Sequence, residues 1–569
     1  MQLFITLFIL ALALAYALWR IVRTMRGHGD CGCGRGKDCP HCHAHGQADC
    51  RDRHRKHTLF LLLSLSSMTL SADVGGDAIV GLVEALRQLP ATELHHLVII
   101  QDGRVQADLH AWPFRAIDRH NQFSACKMLT SLAVGLAVDD GKLHLDDRVV
   151  DILPDKCPAR QSAELQAITL RHLLTMTSGK QLNVTLRDTT ADWSRHWMAL
   201  DGTRPGTHFE YDTMTSFMLA ALVQRATGHR VIDYLNDRIL GPMGIDDVEW
   251  EMSPDSINTG GWGMRCSTMT MAMLGQLLLQ GGRWQGRQLI SADWVRQMSS
   301  DQLLSLGIAA THEDAYHDGY GYQMWRCALE GAYRAQGNMG QLTLIYPAGN
   351  LVVAANCVTT DQMGVLRVVQ QHVPNLLSSG HEATLSSMQL EALEHSVQVP
   401  LLQGQPWSSS SDSLHFDLEE NWHNIRSLDL RHDGAKVWLD ISYEDGRREH
   451  AALGYSHWIY GQSRTTPPYN ILAQNRFSGL TSGFAVAGNY ACQPAGKIVA
   501  QLRYVDWYNG ITLVIDTSSS EVTIIDCTLP GRPEVVSLSG YSAPFRWWMV
   551  VFGALAAALV ALIACNKND

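Results

Sequence analysis

Positive charge is not in excess in this chain of 569 residues: 45 Lys and Arg stand against 56 Asp and Glu, a net charge of −11. A nucleic-acid surface needs a basic footprint, so no such partner is expected. Charged residues of either sign are few, at 18%, against 46% hydrophobic. No repeat of fixed period runs along the chain, which excludes solenoids and propellers. The length leaves room for two or more domains with sizeable cores.

Charge is missing altogether from three apolar stretches. Residues 1–19, MQLFITLFILALALAYALW, are long enough to span a bilayer. Residues 546–565 contain the uncharged run WWMVVFGALAAALVALIAC (547–565), with a Trp pair suited to the interface. Residues 58–72, TLFLLLSLSSMTLSA, are shorter and follow the basic run RDRHRKH, like the n- and h-regions of an export signal. Arg20, Arg23, Arg26, Arg51, Arg53, Arg55 and Lys56 lie between the first two stretches. The positive-inside rule therefore puts the loop 20–57 in the cytoplasm and the chain after about residue 73 across the membrane. The plainer alternative keeps the whole chain inside and makes 58–72 a core helix.

Cysteine is unevenly used. GDCGCGRGKDCPHCHAHGQADC gathers Cys31, Cys33, Cys39, Cys42 and Cys50 among His41, His43 and His45. The ligand types and close spacing suit zinc or another soft metal, with Cys31, Cys33, Cys39 and Cys42 as candidate ligands. The alternative is a reduced, disordered linker. With the first apolar stretch, the segment resembles small cysteine-rich membrane proteins associated with bacterial ferrous-iron transporters. Cys492 and Cys527 are candidates for a disulfide that spacing alone cannot establish.

Elements alternate between 76 and 377. HLVIIQDGRVQADLH (96–110) predicts two strands about an Asp102-Gly103 turn. ITLRHLLTMTSG (168–179), MTSFMLAALVQRATG (214–228) and MTMAMLGQLLLQGG (269–282) read as helices that run into Gly. GYGYQMW (319–325) and QLTLIYPAGNLVVAANC (341–357) read as strands. Strands at both ends with helices between them predict an α/β sandwich. Residues 378–412 are polar and read as a linker. Residues 413–541 show β alternation with Asp-Gly turns at 433–434 and 445–446, which predicts a small antiparallel β domain.

One helix start carries chemistry. In NQFSACKMLTSLAVGLAVDDGKL (121–143), Lys127 sits one turn after Ser124, so both share a helix face. A serine hydroxyl is a weak nucleophile until a base takes its proton. Burial disfavours the charged form of a lysine, which suits Lys127 for that task. Free backbone N–H groups at the helix start can steady an oxyanion. The plain reading is an ordinary surface lysine.

The company of this tetrapeptide decides between the two. QFSACKMLTSLAVGLAVDDGKLHLDDRVVDILP, then ITLRHLLTMTSG, then GGWGMRCSTMTMAMLGQLLLQGGRWQGRQLISADWV (260–295) and GYGYQMW stand in one order. That succession resembles the serine β-lactamase and penicillin-binding-protein superfamily. It is most similar to the class C-like branch of esterases, D-aminopeptidases and 6-aminohexanoate-oligomer hydrolases. The resemblance implies a β-lactamase-like antiparallel sheet flanked by helices, with a helical subdomain, over 76–377. It implies no cofactor for catalysis. It also implies a second motif, Tyr-x-Asn, whose tyrosine shuttles the proton to the leaving group. Tyr211-Asp-Thr213 stands where the family has it, after Pro-Gly and before a helix. Tyr234-Leu-Asn236 matches by letters but lies in an apolar-periodic helix, so Tyr211 is preferred. The third motif falls on Asn338-Met-Gly340. There Gly340 would let substrate approach the strand, and the N–H of Gln341 would join that of Ser124 as oxyanion donors. Thr213 replaces the family's asparagine and Asn338 its lysine or histidine, so a neutral ester, amide or peptide becomes a better expectation than a β-lactam.

Three functions follow as expectations. The first is a serine hydrolase anchored in the bacterial inner membrane, its catalytic domain on the periplasmic side, acting on a small-molecule or peptide substrate. The second is a catalytically silent relative that binds cell-wall peptide or a protein partner. The third places the function in the cysteine-rich loop, as a metal-binding or redox-sensing element.

Overall fold

A computed structural model of the chain describes residues 74–180, 191–308, 318–378, 385–407, 411–463, 467, 479–516, 518–519, 521–526 and 534–539. The three apolar stretches, the Cys/His loop and Cys527 lie outside them. Among the described residues no helix is long and apolar enough to cross a membrane, and no cluster of metal-ligating side chains occurs. Cys492 is a buried free thiol.

The first part of the described chain carries strands β1 (Glu93–Gln101), β2 (Arg104–His110), β3 (His120–Asn121), β4 (Glu249–Trp250), β5 (Met264–Cys266), β6 (Arg283–Trp284), β7 (Arg287–Gln288), β8 (Trp325–Arg326), β9 (Tyr333–Gly337), β10 (Gln341–Tyr346) and β11 (Leu351–Val358). Its longer helices are α1 (Val74–Arg87), α2 (Lys127–Asp139), α3 (Thr213–Thr227), α4 (Thr268–Leu279) and α5 (Gln362–Ser378). Six strands form one antiparallel sheet in the order β2-β1-β11-β10-β9-β8. N-terminal and C-terminal strands meet at its centre, where β1 pairs with β11 from Glu93↔Val358 to Gln101↔Leu351. Side chains alternate between the two faces, as the period of a strand requires. Leu97 and Ile99 join one apolar cluster with α1 and α5. Val98 and Ile100 join another with α2, α3 and α4. The result is a mixed α/β sandwich. Small strands β3, β5 and β4 form a separate three-stranded sheet in that order, and β3 leads directly into the turn that bears Ser124.

Three local expectations differ from the structure. Within 168–179 only Leu170–Leu174 is helical; Met176 takes a left-handed φ of 55°, which ends the helix early. GYGYQMW is mostly loop, and only its Trp325 enters a strand. The segment 378–412 is not all linker. A Ser386 capping box starts helix α6 (Ser387–Val397), whose Leu393 and Val397 bury into the cluster under β1.

The second part is all β: β12 (Ser413–Leu418), β13 (Ile425–His432), β14 (Val437–Tyr443), β15 (Arg448–Tyr455), β16 (Ile459–Ser463), β17 (Phe484–Gln493), β18 (Lys497–Tyr504), β19 (Gly510–Asp516), β20 (Glu521–Asp526) and β21 (Glu534–Ser539). They form a ten-stranded sheet in the order β15-β14-β13-β12-β21-β20-β19-β18-β17-β16. A parallel pairing of β15 with β17 at Gly454↔Asn489 and Tyr455↔Tyr490 brings it nearly round into a barrel. That removes most exposed edge.

Candidate active site

Ser124 lies in the 3-10 turn Phe123–Cys126, which runs into α2 at Lys127. The turn is fixed from both sides. The Gln122 N–H donates to Met264 O on β5 (2.9 Å), and the Phe123 N–H to Asn121 Oδ1 (3.0 Å). Phe123 has a left-handed φ of 46°. Ser124 is half-buried, whereas Lys127 is 2% exposed.

Lys127 Nζ stands among three oxygens: Ser124 Oγ at 2.9 Å, Gly261 O at 2.9 Å and Thr213 Oγ1 at 3.4 Å. An ammonium group has three N–H donors and no acceptor, so three oxygens satisfy it. Gly261 O can only accept. The hydroxyls of Ser124 and Thr213 can also donate. Two N–H groups of a neutral amine can therefore rest on Gly261 and Thr213 while its lone pair faces the Ser124 hydroxyl. The same pocket suits both states of the lysine.

Tyr211 completes this corner. Lys127 Nζ lies 4.9 Å from its ring centroid. The other ring neighbours are Trp325, stacked at 5.0 Å, and Tyr320, edge-on at 6.3 Å. Asp212 holds the start of α3. Its carboxylate accepts from Met214 N (2.8 Å), Thr215 Oγ1 (2.8 Å) and Trp197 Nε1 (3.3 Å), an N-cap that puts Tyr211 just before the helix and Thr213 at its first turn. Burial pushes the Asp212 carboxyl up. Tyr234 sits elsewhere, donating to Asp140 Oδ2 at the far end of α2 (2.6 Å).

The strand motif runs past the same turn. A Cβ on Gly337, which pairs with Gln341, would stand 2.2 Å from Gln122 O. The end of the β9–β10 hairpin thus lies against the segment that leads to Ser124. Gln341 is fully buried, with Nε2 donating to Cys357 O (2.8 Å) and Asn338 O (3.1 Å) and Oε1 accepting from Asn356 Nδ2 (2.8 Å). Asn338 is exposed, and its Oδ1 accepts from Met339 N (2.9 Å). Gly340 corrects its expected role. Its φ is 89°, and an added Cβ would stand 2.8 Å from Thr359 and 3.0 Å from Cys357. The glycine is required by the turn and by packing on β11, not by room for a substrate on that side.

Sequence reasoning passed over three contributors: the Gly261 carbonyl, the Asp212 cap and the left-handed Phe123. The paired glycines of GGWG were a visible signal for the first. Cys126, a second nucleophile type in the same turn, is fully buried, and burial pushes its thiol up to about 12. It is therefore not available as a thiolate.

The chain is similar to several known proteins. The profile of the family described as "Beta-lactamase" matches residues 81–367. A 6-aminohexanoate-dimer hydrolase of Paenarthrobacter ureafaciens is 21% identical over 258 residues, 42% of this chain and 66% of that protein. A monacolin J acid methylbutanoyltransferase of Aspergillus terreus is 30% identical over 161 residues, 24% of this chain and 39% of its own length. The chain thus spans less than two thirds of either relative. Among solved structures, an octameric penicillin-binding protein homologue from Pyrococcus abyssi shares 15% identity at a TM-score of 0.43, covering 81% of this chain and 99% of its own.

Proposed function

The chain belongs to the β-lactamase family, a hydrolase family, and on that premise we propose that it is a serine hydrolase working through an acyl-enzyme at Ser124. The observation that carries this reading is the 2.9 Å contact between Lys127 Nζ and Ser124 Oγ. Ser124 Oγ attacks a substrate carbonyl carbon as its proton passes to neutral Lys127. The backbone N–H groups of Ser124 and Gln341 receive the oxyanion. Tyr211 passes the proton on to the leaving group, which departs and leaves the acyl-enzyme. Water then attacks the acyl carbonyl, and Ser124 recovers its proton.

The substrate class is a neutral ester, amide or peptide rather than a β-lactam. Asn338 offers hydrogen bonds and no charge to a substrate carboxylate. Thr213 differs from the family asparagine yet still presents an oxygen to Lys127 at 3.4 Å, so its change is no reason for a silent protein. The apolar stretches 1–19 and 546–565 belong to this proposal as membrane anchors and 58–72 as an export signal or further anchor, with the catalytic domain exported. Carbonate extraction of membranes tests that part: release of the full chain to the soluble fraction contradicts it.

Turnover of p-nitrophenyl esters tests the chemistry. An initial burst of nitrophenol, followed by a slower steady rate, is expected of the wild type and absent from Ser124→Ala. Equal turnover by both proteins contradicts the proposal.

A further inference from the structure

Tight turns between strands usually stand at the surface and carry polar residues. The tip of the β18–β19 hairpin leaves the surface, and its polar Asp506 and Asn509 are buried with it. Residues 505–509 read VDWYN, and Val505, Trp507, Tyr508 and Asn509 are fully buried. Trp507 and Tyr508 meet the segment that leads to Ser124, in the other half of the chain.

Three sets of contacts meet there. The Asn121 N–H donates to Trp507 O at 2.8 Å, and Asn121 Oδ1 in turn holds the Phe123 N–H. The Tyr508 ring meets Phe123 edge-on at 4.9 Å. Arg265, which pairs with Asn121 across β3 and β5, is fully buried. Its guanidinium reaches Asp506 Oδ2 (3.1 Å), Ser482 Oγ (2.8 Å) and Gly483 O (2.7 Å), besides Glu249 Oε2 (2.6 Å).

The backbone supplies the reason for such a brace. Phe123 and Met339 hold φ of 46° and 60°. Non-glycine residues stay in that region only where their surroundings over-determine it. Both side chains lie in the apolar cluster of the β domain with Trp507 and Tyr508. One of these residues precedes the candidate nucleophile, and the other lies in the strand motif facing it.

We infer that the 505–509 hairpin tip is a positioning element for the Ser124 turn, with Tyr508 and Asp506 as positioning residues that act through Phe123 and Arg265. The kinetic part rests on the proposed role of Ser124; the structural part does not. Lost support lets Phe123 relax toward negative φ, which swings Ser124 Oγ away from Lys127. Displacement of a reacting group by about 1 Å costs up to roughly a hundredfold in rate.

The test compares Tyr508→Ala with Leu439→Ala, a cavity in β14 of the same apolar cluster, in the full chain. Hydrogen exchange of the peptide 119–126, the rate of fluorophosphonate labelling, and the melting curve are read for each. Both cavities are expected to lower the melting temperature. Only Tyr508→Ala is expected to speed exchange in 119–126 and to slow labelling about tenfold or more. Unchanged exchange in 119–126, or equal effects of the two variants, overturns the inference. A wild type that takes no label rejects the role of Ser124, while the exchange data still decide the brace. If Tyr508→Ala does not fold, Tyr508→Leu keeps most of the apolar volume, removes the ring contact, and is held to the same outcomes.

Discussion

Two lysines in this protein are buried to the same degree and differ in what surrounds them. Lys127 and Lys180 are each 2% exposed. Lys127 faces two hydroxyls and a carbonyl. Lys180 faces the carbonyls of Met198 and Leu200, with the Trp197 ring 5.4 Å away. A carbonyl can only accept, so among the described residues Lys180 Nζ faces no hydroxyl from which to take a proton; it ties off the end of the short helix Trp193–Ala199. Burial is common to both. A donor hydroxyl in reach separates the proposed base from the structural cation.

The largest effect that would break this comparison concerns catalysis. Lys127→Met is expected to lower ester turnover by about 10²–10⁴-fold, measured as kcat, while Lys180→Met leaves kcat nearly unchanged. Equal losses would erase the distinction. Next come the two tyrosines. Tyr211→Phe should cost on the order of a hundredfold in kcat, whereas Tyr234→Phe, which removes only the bond to Asp140, should leave kcat near wild type and lower the melting temperature. A smaller effect belongs to Thr213→Val. Loss of one acceptor for the lysine should slow turnover about tenfold, with recovery in Thr213→Ser.

The smallest effect is a pH dependence of stability. Burial brings Lys180 down to about 8. From about pH 8 to the unfolded value near 10.4, the unfolded chain carries this proton and the folded chain does not. Stability therefore rises with pH through that window by this term. The difference in urea midpoint between wild type and Lys180→Met should change in the wild type's favour from pH 8 to 10. No change, or the opposite sign, contradicts the assignment.

Much of the site was legible because it is local. Ser124 and Lys127 share one helical turn, and the structure brings them to 2.9 Å. Tyr211 is ranked over Tyr234 from its place before a helix; its ring centroid lies 4.9 Å from Lys127 Nζ, while Tyr234 donates to Asp140. The central hairpins β1–β2 and β10–β11 followed from alternation and turn residues. Contacts made across the chain were not legible. Nothing about VDWYN signals that its turn leaves the surface, because its partners are far away in the chain: Asn121 and Phe123, and Arg265 at a separation of 241 residues. The Gly261 carbonyl is also a contact across the chain, 134 residues from Lys127: the paired glycines of GGWG marked the place, but a backbone oxygen has no letter in the sequence. Buried His95 and His120, which share a hydrogen bond of 3.0 Å beside Phe114, looked like ordinary strand residues, since pairing across elements leaves no periodic mark. Helix α6 was read as linker because its capping box lies inside a serine-rich run.

The most direct test of the account is the site of covalent labelling. The full-length protein is treated with a fluorophosphonate, digested and sequenced by tandem mass spectrometry. The account predicts one adduct, on Ser124 in the peptide that contains FSACK, sharply reduced in Lys127→Met. An adduct on another serine, or labelling that persists unchanged in Ser124→Ala, would contradict it.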